Sequence, residues 1–578
     1  MIKDDFTLRH NGPQPEDVDK MLQTIGVATL DELIDKTIPA SIRLKEDLPL
    51  PEGMTEGQYL AHVKELFAKN KMYKSYIGMG YYNTFTPGVI LRNITENPGW
   101  YTAYTPYQAE ISQGRLEALL NYQTMVSDLT GMPIANASML DEATAAGEMM
   151  LMFFNSRKRD AVKNGVNKYF VSNDVFPQTL AVIQTNAKPQ GIEVVTGDPF
   201  KTTIDETFFG VMVQYPCSWG EVVNYRNFAA DMKAKGIFVG VASDLLALTL
   251  LTPPGEWGAD CVIGTAQRFG TQMGFGGPHA GFFACIDDMK RQMPGRIIGV
   301  TIDAHGNKAL RMALQTREQH IKREKATSNI CTASALSAIT AGFYAMWHGP
   351  KGLKDKATKI NILAGILADE AVKLGYKNHN PYFFDTICLQ VPEGMKTEAV
   401  QKVALAHNMN FYYWCDECIS ISLDETVLLE DVNAIIEVLA IAVNKPFTPF
   451  VCVDNGTIPP YRIQEDLTRT STYLTHAIFS KYHSETEMMR YMKLLEIKDL
   501  SLNRAMIPLG SCTMKLNAAA EMFPLSWPEV GAIHPFAPAD QVEGYTEMIK
   551  EMDQWLSIIT GFKAISFQPN SGAAGEYA

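Results

Sequence analysis

The chain is predicted to be α/β, with a mainly parallel sheet flanked by helices, followed by a smaller α+β domain and then the opening of a second copy of the same unit. Three observations predict this. Apolar runs of strand length alternate with helical patterns through residues 168–264. The pattern then changes to shorter alternating segments through Ala442. Finally, landmarks from the first 150 residues recur about 430 positions later.

The strand-like runs are Lys168-Tyr169-Phe170-Val171, Ile192-Glu193-Val194-Val195, Gly210-Val211-Met212-Val213-Gln214, Ile237-Phe238-Val239-Gly240-Val241 and Cys261-Val262-Ile263-Gly264. Strands spaced by helical stretches call for crossover connections, and crossovers give parallel sheets. A helical stretch over Ser334–Trp347 separates this region from the smaller domain. Gly80 pairs with Gly510 at an offset of 430, Pro106 with Pro535 at 429 and Gly147 with Gly575 at 428. Separate landmarks that keep register this closely indicate an internal repeat. The junction is punctuated by Lys445-Pro446-Phe447-Thr448-Pro449, Asp454-Asn455-Gly456 and Ile458-Pro459-Pro460. The expected organisation is therefore a helical arm over 1–70, a large domain over 71–330, a small α+β domain over 331–447, and a linker with the start of a second copy over 448–578. That last segment supplies helices and about one strand, too little for a sheet with its own core. It is expected to pack on the first copy or to stay loose.

Composition narrows the function classes. The 578 residues are 46% hydrophobic and 20% charged, as in soluble globular proteins. A net charge of −13 argues against sequence-independent nucleic-acid binding, which needs a positive surface. No apolar run is long enough for a transmembrane helix, and the N-terminus has neither an apolar signal core nor an Arg-rich transit pattern, so a cytoplasmic location is expected. Nine scattered cysteines form neither a disulfide framework nor a four-ligand zinc pattern. Cys415 and Cys418 have redox C-x-x-C spacing, but the residues after them alternate like a strand. A redox pair needs a helix start there, so two cysteines beside a strand is the preferred reading.

Candidate chemistry lies at strand ends. Asn570-Ser571-Gly572-Ala573-Ala574-Gly575 follows a strand-like run and fits a phosphate-holding turn at a helix start, where unpaired backbone N–H groups and the helix dipole favour an anion. Its first-copy counterpart places Asp141 and Glu142 opposite Pro569 and Asn570, and two carboxylates would repel a phosphate. Gly274-Phe275-Gly276-Gly277-Pro278-His279-Ala280-Gly281 lacks dinucleotide spacing and reads as a tight loop with close backbone approach. Asp244 ends the run Val239–Ser243, where a carboxylate points into the usual ligand crevice and could pair with a protonated pyridine nitrogen; capping the following helix is the simpler role.

Several long stretches, in order, resemble the P-protein family, glycine dehydrogenase (decarboxylating). They are Arg9-His10-Asn11-Gly12-Pro13, the run Tyr101–Gln108, Gln267-Arg268-Phe269-Gly270 leading into Met273–His279, Arg311–His320, Ser328–Ala333 and Pro508–Asn517. The resemblance implies a fold type I enzyme, dependent on pyridoxal 5'-phosphate (PLP), made of two similar halves with the cofactor in the second. It implies glycine as substrate, PLP as the electron sink for loss of CO₂, and transfer of the aminomethyl group to the lipoyl arm of the H-protein. A homodimer or heterotetramer is implied for the complete enzyme, with no nucleic-acid or membrane partner. Other fold type I enzymes, such as transaminases, carry one copy per chain and do not account for the repeat.

Aligned on Phe269 and Gly274–Pro278, the family's PLP lysine corresponds to Gln267 in the first copy, and no glutamine amide can form the covalent link. Arg268 stays protonated and cannot substitute. The working lysine is expected about 430 residues after Gln267, beyond Ala578, so no catalytic residue is assigned within the chain. Lys515 lies in the opening segment and is not that lysine. Ser571, Gly572 and Ala573 match the family's phosphate turn. Ser511, Cys512, Thr513 and His534 fall in segments resembling ones near its active site. The alternative reading is a non-catalytic supporting subunit, or half of a split enzyme.

Overall fold

The computed structural model describes residues 6–576, apart from 11, 104–105, 107, 315–318, 324–325, 327–332, 452–461, 507–516 and 570–574. The strand-like runs form one sheet. Its strands are β1 (Ile134–Ala135), β2 (Lys168–Ser172), β3 (Glu193–Gly197), β4 (Phe208–Tyr215), β5 (Phe238–Ser243), β6 (Cys261–Thr265) and β7 (Gly281–Cys285), in the order β1-β7-β6-β5-β4-β2-β3. From β3 to β6 neighbours are parallel; β7 and β1 continue the sheet antiparallel.

The sheet has a core on each face, which is why its strands read as continuous apolar runs. Val211, Val213, Val239, Val241 and Val262 face one core. Tyr169, Val171, Met212, Cys261 and Ile263 face the other, with Met149, Met150 and Phe153 of the helix Glu142–Asn155. The alternation along each strand follows the two-residue period of the pleat.

The predicted helix over Ser334–Trp347 runs much further, as Ala335–Lys373. Gly349, at φ 62°, breaks it just before Pro350, whose ring and missing N–H interrupt the helical bonding. The Gly-Pro pair explains why the periodic pattern ends near Trp347. Beyond it, Lys377–Asn378, Thr386–Gln390, Cys418–Ser422 and Tyr412–Tyr413 form a four-stranded antiparallel sheet in that order, backed by the helices Thr397–Ala406 and Leu429–Ala442. No helix of the described residues is long and apolar enough to cross a membrane.

The repeat is present in three dimensions. Helices α1 (Glu56–Phe67) and α2 (Gln113–Thr130) of the first copy have counterparts α3 (Glu485–Glu496) and α4 (Glu543–Thr560). α1 and α3 begin at hydroxyl N-caps, Thr55 and Ser484. α2 and α4 end on left-handed glycines, Gly131 and Gly561.

The two copies exchange contacts reciprocally. α1 packs on α4, and α3 packs on α2. Asn70, three residues past α1, accepts a bond from Gly544 N at 2.9 Å; Asp499, three residues past α3, accepts one from Gly114 N at 2.7 Å. Lys71 N donates to Gln541 O, and Leu500 N donates to Ile111 O. Lys69 pairs with Glu547, and Lys498 pairs with Glu117. This is the self-complementary pattern of a two-fold interface, formed here within one chain. The close approach requires glycine: a Cβ on Gly114 would lie 1.9 Å from Leu495 O, and one on Gly544 2.5 Å from Leu66 O. The described part of 448–578 therefore packs on the first copy. The Pro-rich junction at 454–460 lies outside the described residues.

Candidate functional site

The positions expected to carry a cofactor in the first copy meet at the ends of β4, β5 and β6, beside the small domain. Asp244 follows β5, and Gln267 and Arg268 follow β6. Gln267 is fully buried. Its Oε1 accepts from Tyr82 N at 3.0 Å, and its Nε2 donates to Tyr82 O at 2.8 Å and Thr271 O at 2.6 Å. The amide thus bridges two backbone segments, a task that needs both a donor and an acceptor.

Arg268 turns in the same direction. Its Nη2 lies 2.6 Å from Asp385 Oδ2, just before the small-sheet strand Thr386–Gln390, and its Nε lies 3.2 Å from Asp244 Oδ2. Its Cζ sits 3.6 Å over the Tyr82 ring. Burial would lower its pKa, but Asp244 and Asp385 hold it above the ordinary arginine value. The guanidinium is charged, and its charge opposes the upward push that burial gives Asp385. Asp244 does serve as a cap: its Oδ1 accepts from Leu246 N and Ala247 N at 2.7 and 3.2 Å. The turn it caps leads into a 3₁₀ segment, Ala247–Thr249, rather than the full helix expected.

Residues 83–86 extend the same seam. Asn83 donates to Asp424, Thr84 and Phe85 to Glu425, and Thr86 to Gly270 O. Glu425 also receives Tyr344 OH at 2.9 Å and pairs with Lys356. The strand end that would face a cofactor is thereby clamped to the small domain.

Asp141 Oδ1 accepts from Thr144 N at 2.7 Å and caps the helix beginning at Glu142. The N–H group that a phosphate would use is already bonded. Glu142 lies beside it, with its carboxyl pushed up to about 7 by burial and by Asp244 and Asp141, against the bond from Thr179. The remaining cavity, lined by Tyr82, Glu142, Asp244, Gln267, Arg268 and Asp385 among others, holds about 40 Å³. Small-molecule pockets span roughly 300–1,000 Å³. By size, covalent chemistry and charge, these residues do not fit PLP.

The second-copy positions Ser511, Cys512, Thr513, Ser571, Gly572 and Ala573 lie outside the described residues. His534 is buried. Its Nδ1 accepts from Phe536 N at 3.0 Å, so its Nε2 is the donor to Gly78 O, also at 3.0 Å. Burial lowers it to about 4, which keeps it neutral. It stacks edge-on with Tyr81, which also faces His279. The glycine loop at 274–281 receives the same segment: Phe275 N donates to Ile533 O at 2.9 Å, and the Phe275 ring stacks on Tyr545 at 4.5 Å. Close backbone approach is what the loop provides. Cys415 is exposed in the turn before Cys418. Burial, together with the neighbouring Cys415 thiol, pushes the Cys418 thiol up to about 12.

Residues 8–439 match the family model described as glycine cleavage system P-protein. This chain belongs to that family. P-proteins similar to it include the glycine dehydrogenase (decarboxylating) of Flavobacterium johnsoniae, 54% identical over 578 residues, or 100% of this chain and 60% of that protein. That of Nostoc punctiforme is 53% identical, over 99% of this chain and 58% of that protein. The chain thus spans about three-fifths of the length of these relatives. Among solved structures, a P-protein glycine decarboxylase in inhibitor-bound form aligns with a TM-score of 0.68 at 32% identity, covering 75% of this chain and 99% of that one. A sphingosine-1-phosphate lyase from Burkholderia pseudomallei aligns at 0.50 and 12% identity, over 70% of this chain and 94% of that one. The last shares the fold alone. The architecture is that of fold type I PLP enzymes, and the P-protein unit here is the one that residues 8–439 build.

Proposed function

We propose that this P-protein chain supplies the scaffold half of a glycine decarboxylase, together with the opening of the half that holds the cofactor. The supporting observation is the first-copy site itself, in which Gln267, Arg268 and Asp141 all make protein contacts. The complete enzyme would act on glycine and pass the aminomethyl group to the lipoyl arm of the H-protein, in the cytoplasm. PLP, bound in the second half, supplies the electron sink for release of CO₂. Ser571, Gly572 and Ala573 would hold its phosphate; Ser511, Cys512 and Thr513 would lie near it. His534 positions its segment on Gly78 and Tyr81 rather than exchanging a proton, because it is buried and neutral. The chain divides functionally at about 70, 330 and 447.

The test is to purify residues 1–578, add PLP and measure two things: visible absorption of a lysine-bound cofactor, and exchange of labelled CO₂ with the glycine carboxyl. Neither is expected. Both should arise when the remaining two-fifths of a relative is supplied. Absorption and exchange from 1–578 alone would overturn the assignment of the lysine beyond Ala578.

A further inference from the structure

The first-copy cavity is closed to PLP but is not apolar. Arg268 is 5% exposed, and its Nη1 has no hydrogen-bond partner. A buried guanidinium N–H without a partner is unfavourable and marks a place for a small polar guest. The same cavity is lined by Glu142 and Asp244. Two carboxylates, Asp244 and Asp385, and a third at Glu142 once it has lost its proton, line the cavity with one cation. That balance disfavours a simple anion and favours a guest that brings a positive charge as well as an acceptor for Nη1.

Size limits the guest further. A cavity of about 40 Å³ is about three times the ~10–15 Å³ that one water needs. It admits a few waters or a molecule of about their combined bulk. A ligand with an ammonium at one end, a carboxylate at the other and almost nothing between meets all three conditions.

We propose that the retired cofactor cavity of the first copy binds a small zwitterionic α-amino acid, of glycine or alanine size, with its carboxylate on Arg268 and its ammonium toward Glu142 and Asp244. The site uses no cofactor. It would make the first half a sensor of small amino acids, separate from any site in the second half. It does not depend on the decarboxylation reading.

The experiment uses the full chain without added PLP and follows thermal shift and saturation-transfer NMR. A ligand that binds only the folded state raises Tm. Glycine and alanine should saturate at millimolar concentrations or below and raise Tm by ~2–4 °C. Acetate and methylamine, each lacking one charge, should bind at least about tenfold more weakly, and leucine should not bind. Glu142→Gln keeps the shape and removes one carboxylate; it should weaken glycine about tenfold or more while leaving the protein folded. The proposal is overturned if glycine shows no saturable binding. Equal binding of acetate, methylamine or leucine would also overturn it, as would glycine binding unchanged in Glu142→Gln. These readouts require no turnover, so loss of decarboxylation would leave them intact.

Discussion

Replacing Asp499 by alanine should loosen the segment 462–576 from the first copy. Asp499 is 3% exposed and Arg115 5%. The carboxylate accepts from Gly114 N at 2.7 Å, from Arg115 N at 3.1 Å and from Arg115 Nη1 at 3.4 Å. It therefore caps α2 from the other copy, where the local N-cap residue, Ser112, makes no side-chain cap bond. Burial lowers Arg115 to about 10 and raises Asp499, so the pair as such adds little net stability. Its removal is different. Truncation leaves a buried guanidinium without its carboxylate and two helix-start N–H groups unbonded. Breaking such a pair typically costs about 3–5 kcal/mol, or roughly 10²- to 10⁴-fold in the docking equilibrium. The mirror change, Asn70→Ala, removes a neutral cap and the bond that Asn70 Nδ2 donates to Glu529 O at 3.0 Å, and should cost less, about 1–3 kcal/mol. Limited proteolysis in increasing urea reads both: cleavage within 462–576 should begin at clearly lower urea in Asp499→Ala, with Asn70→Ala between it and the parent. If Asp499→Ala matched the parent, or Asn70→Ala were the more sensitive, the trans-capping argument would be wrong.

Three other changes follow from the same contacts. Gln267→Lys should not give a lysine-bound cofactor spectrum with PLP, because Arg268 and Asp141 still occupy its contacts. It should also destabilise by about 1–3 kcal/mol, since an ammonium cannot accept from Tyr82 N; melting temperature and visible absorption check both. Glu142 releases its proton near 7 when folded and near 4.5 when unfolded. The folded state thus binds more protons between those values, and stability falls as pH rises through that window. Glu142→Gln should remove this slope and stabilise the protein above pH 7 by at most about 3 kcal/mol, seen in urea midpoints from pH 4 to 8. Cys418, with its thiol pushed up to about 12, should alkylate at pH 8 far more slowly than exposed Cys415, by peptide mass mapping. Comparable rates would revive a redox role for the pair.

Much of the fold was legible because its signals are local. Four of the five strand-like runs carry apolar residues that the sheet buries on both faces, while the edge strand β3 stays partly exposed. The repeat was legible because glycines and prolines mark backbone positions that nothing else fills. The long helix was cut short in the sequence because Gly349-Pro350 reads as an end, whereas packing on Phe479 and Tyr473 carries the chain through it. In the site, the sequence showed a glutamine at 267 and the carboxylates Asp141 and Glu142 at the helix start, and the structure engages Gln267 with Tyr82 and Thr271 and Asp141 with Thr144 N. The partner that completes the clamp was not legible. Asp385 lies 117 residues from Arg268 and carries no motif; only the closure of the small sheet onto β6 brings its carboxylate to 2.6 Å. Asp499 is hidden for the same reason, at 384 residues from Arg115.

The reciprocal exchange changes what counts as a unit. The described residues of 462–576 contribute no strand to any sheet, and a segment of isolated helices is marginal in water. Yet Val530, Ile533, Val542 and Tyr545 share one buried cluster with Val63 and Phe67, while Met488, Tyr491, Met492 and Leu495 join the main core beside α2. The opening of the second copy is therefore stabilised by the first, and the first borrows its helix cap from the second. The site at the ends of β5 and β6 fits that arrangement, since a half that caps and carries its neighbour gains from being held rigid. The Asp244–Arg268–Asp385 triad and the Gln267 bridge hold it so, at the junction of the large sheet with the small domain.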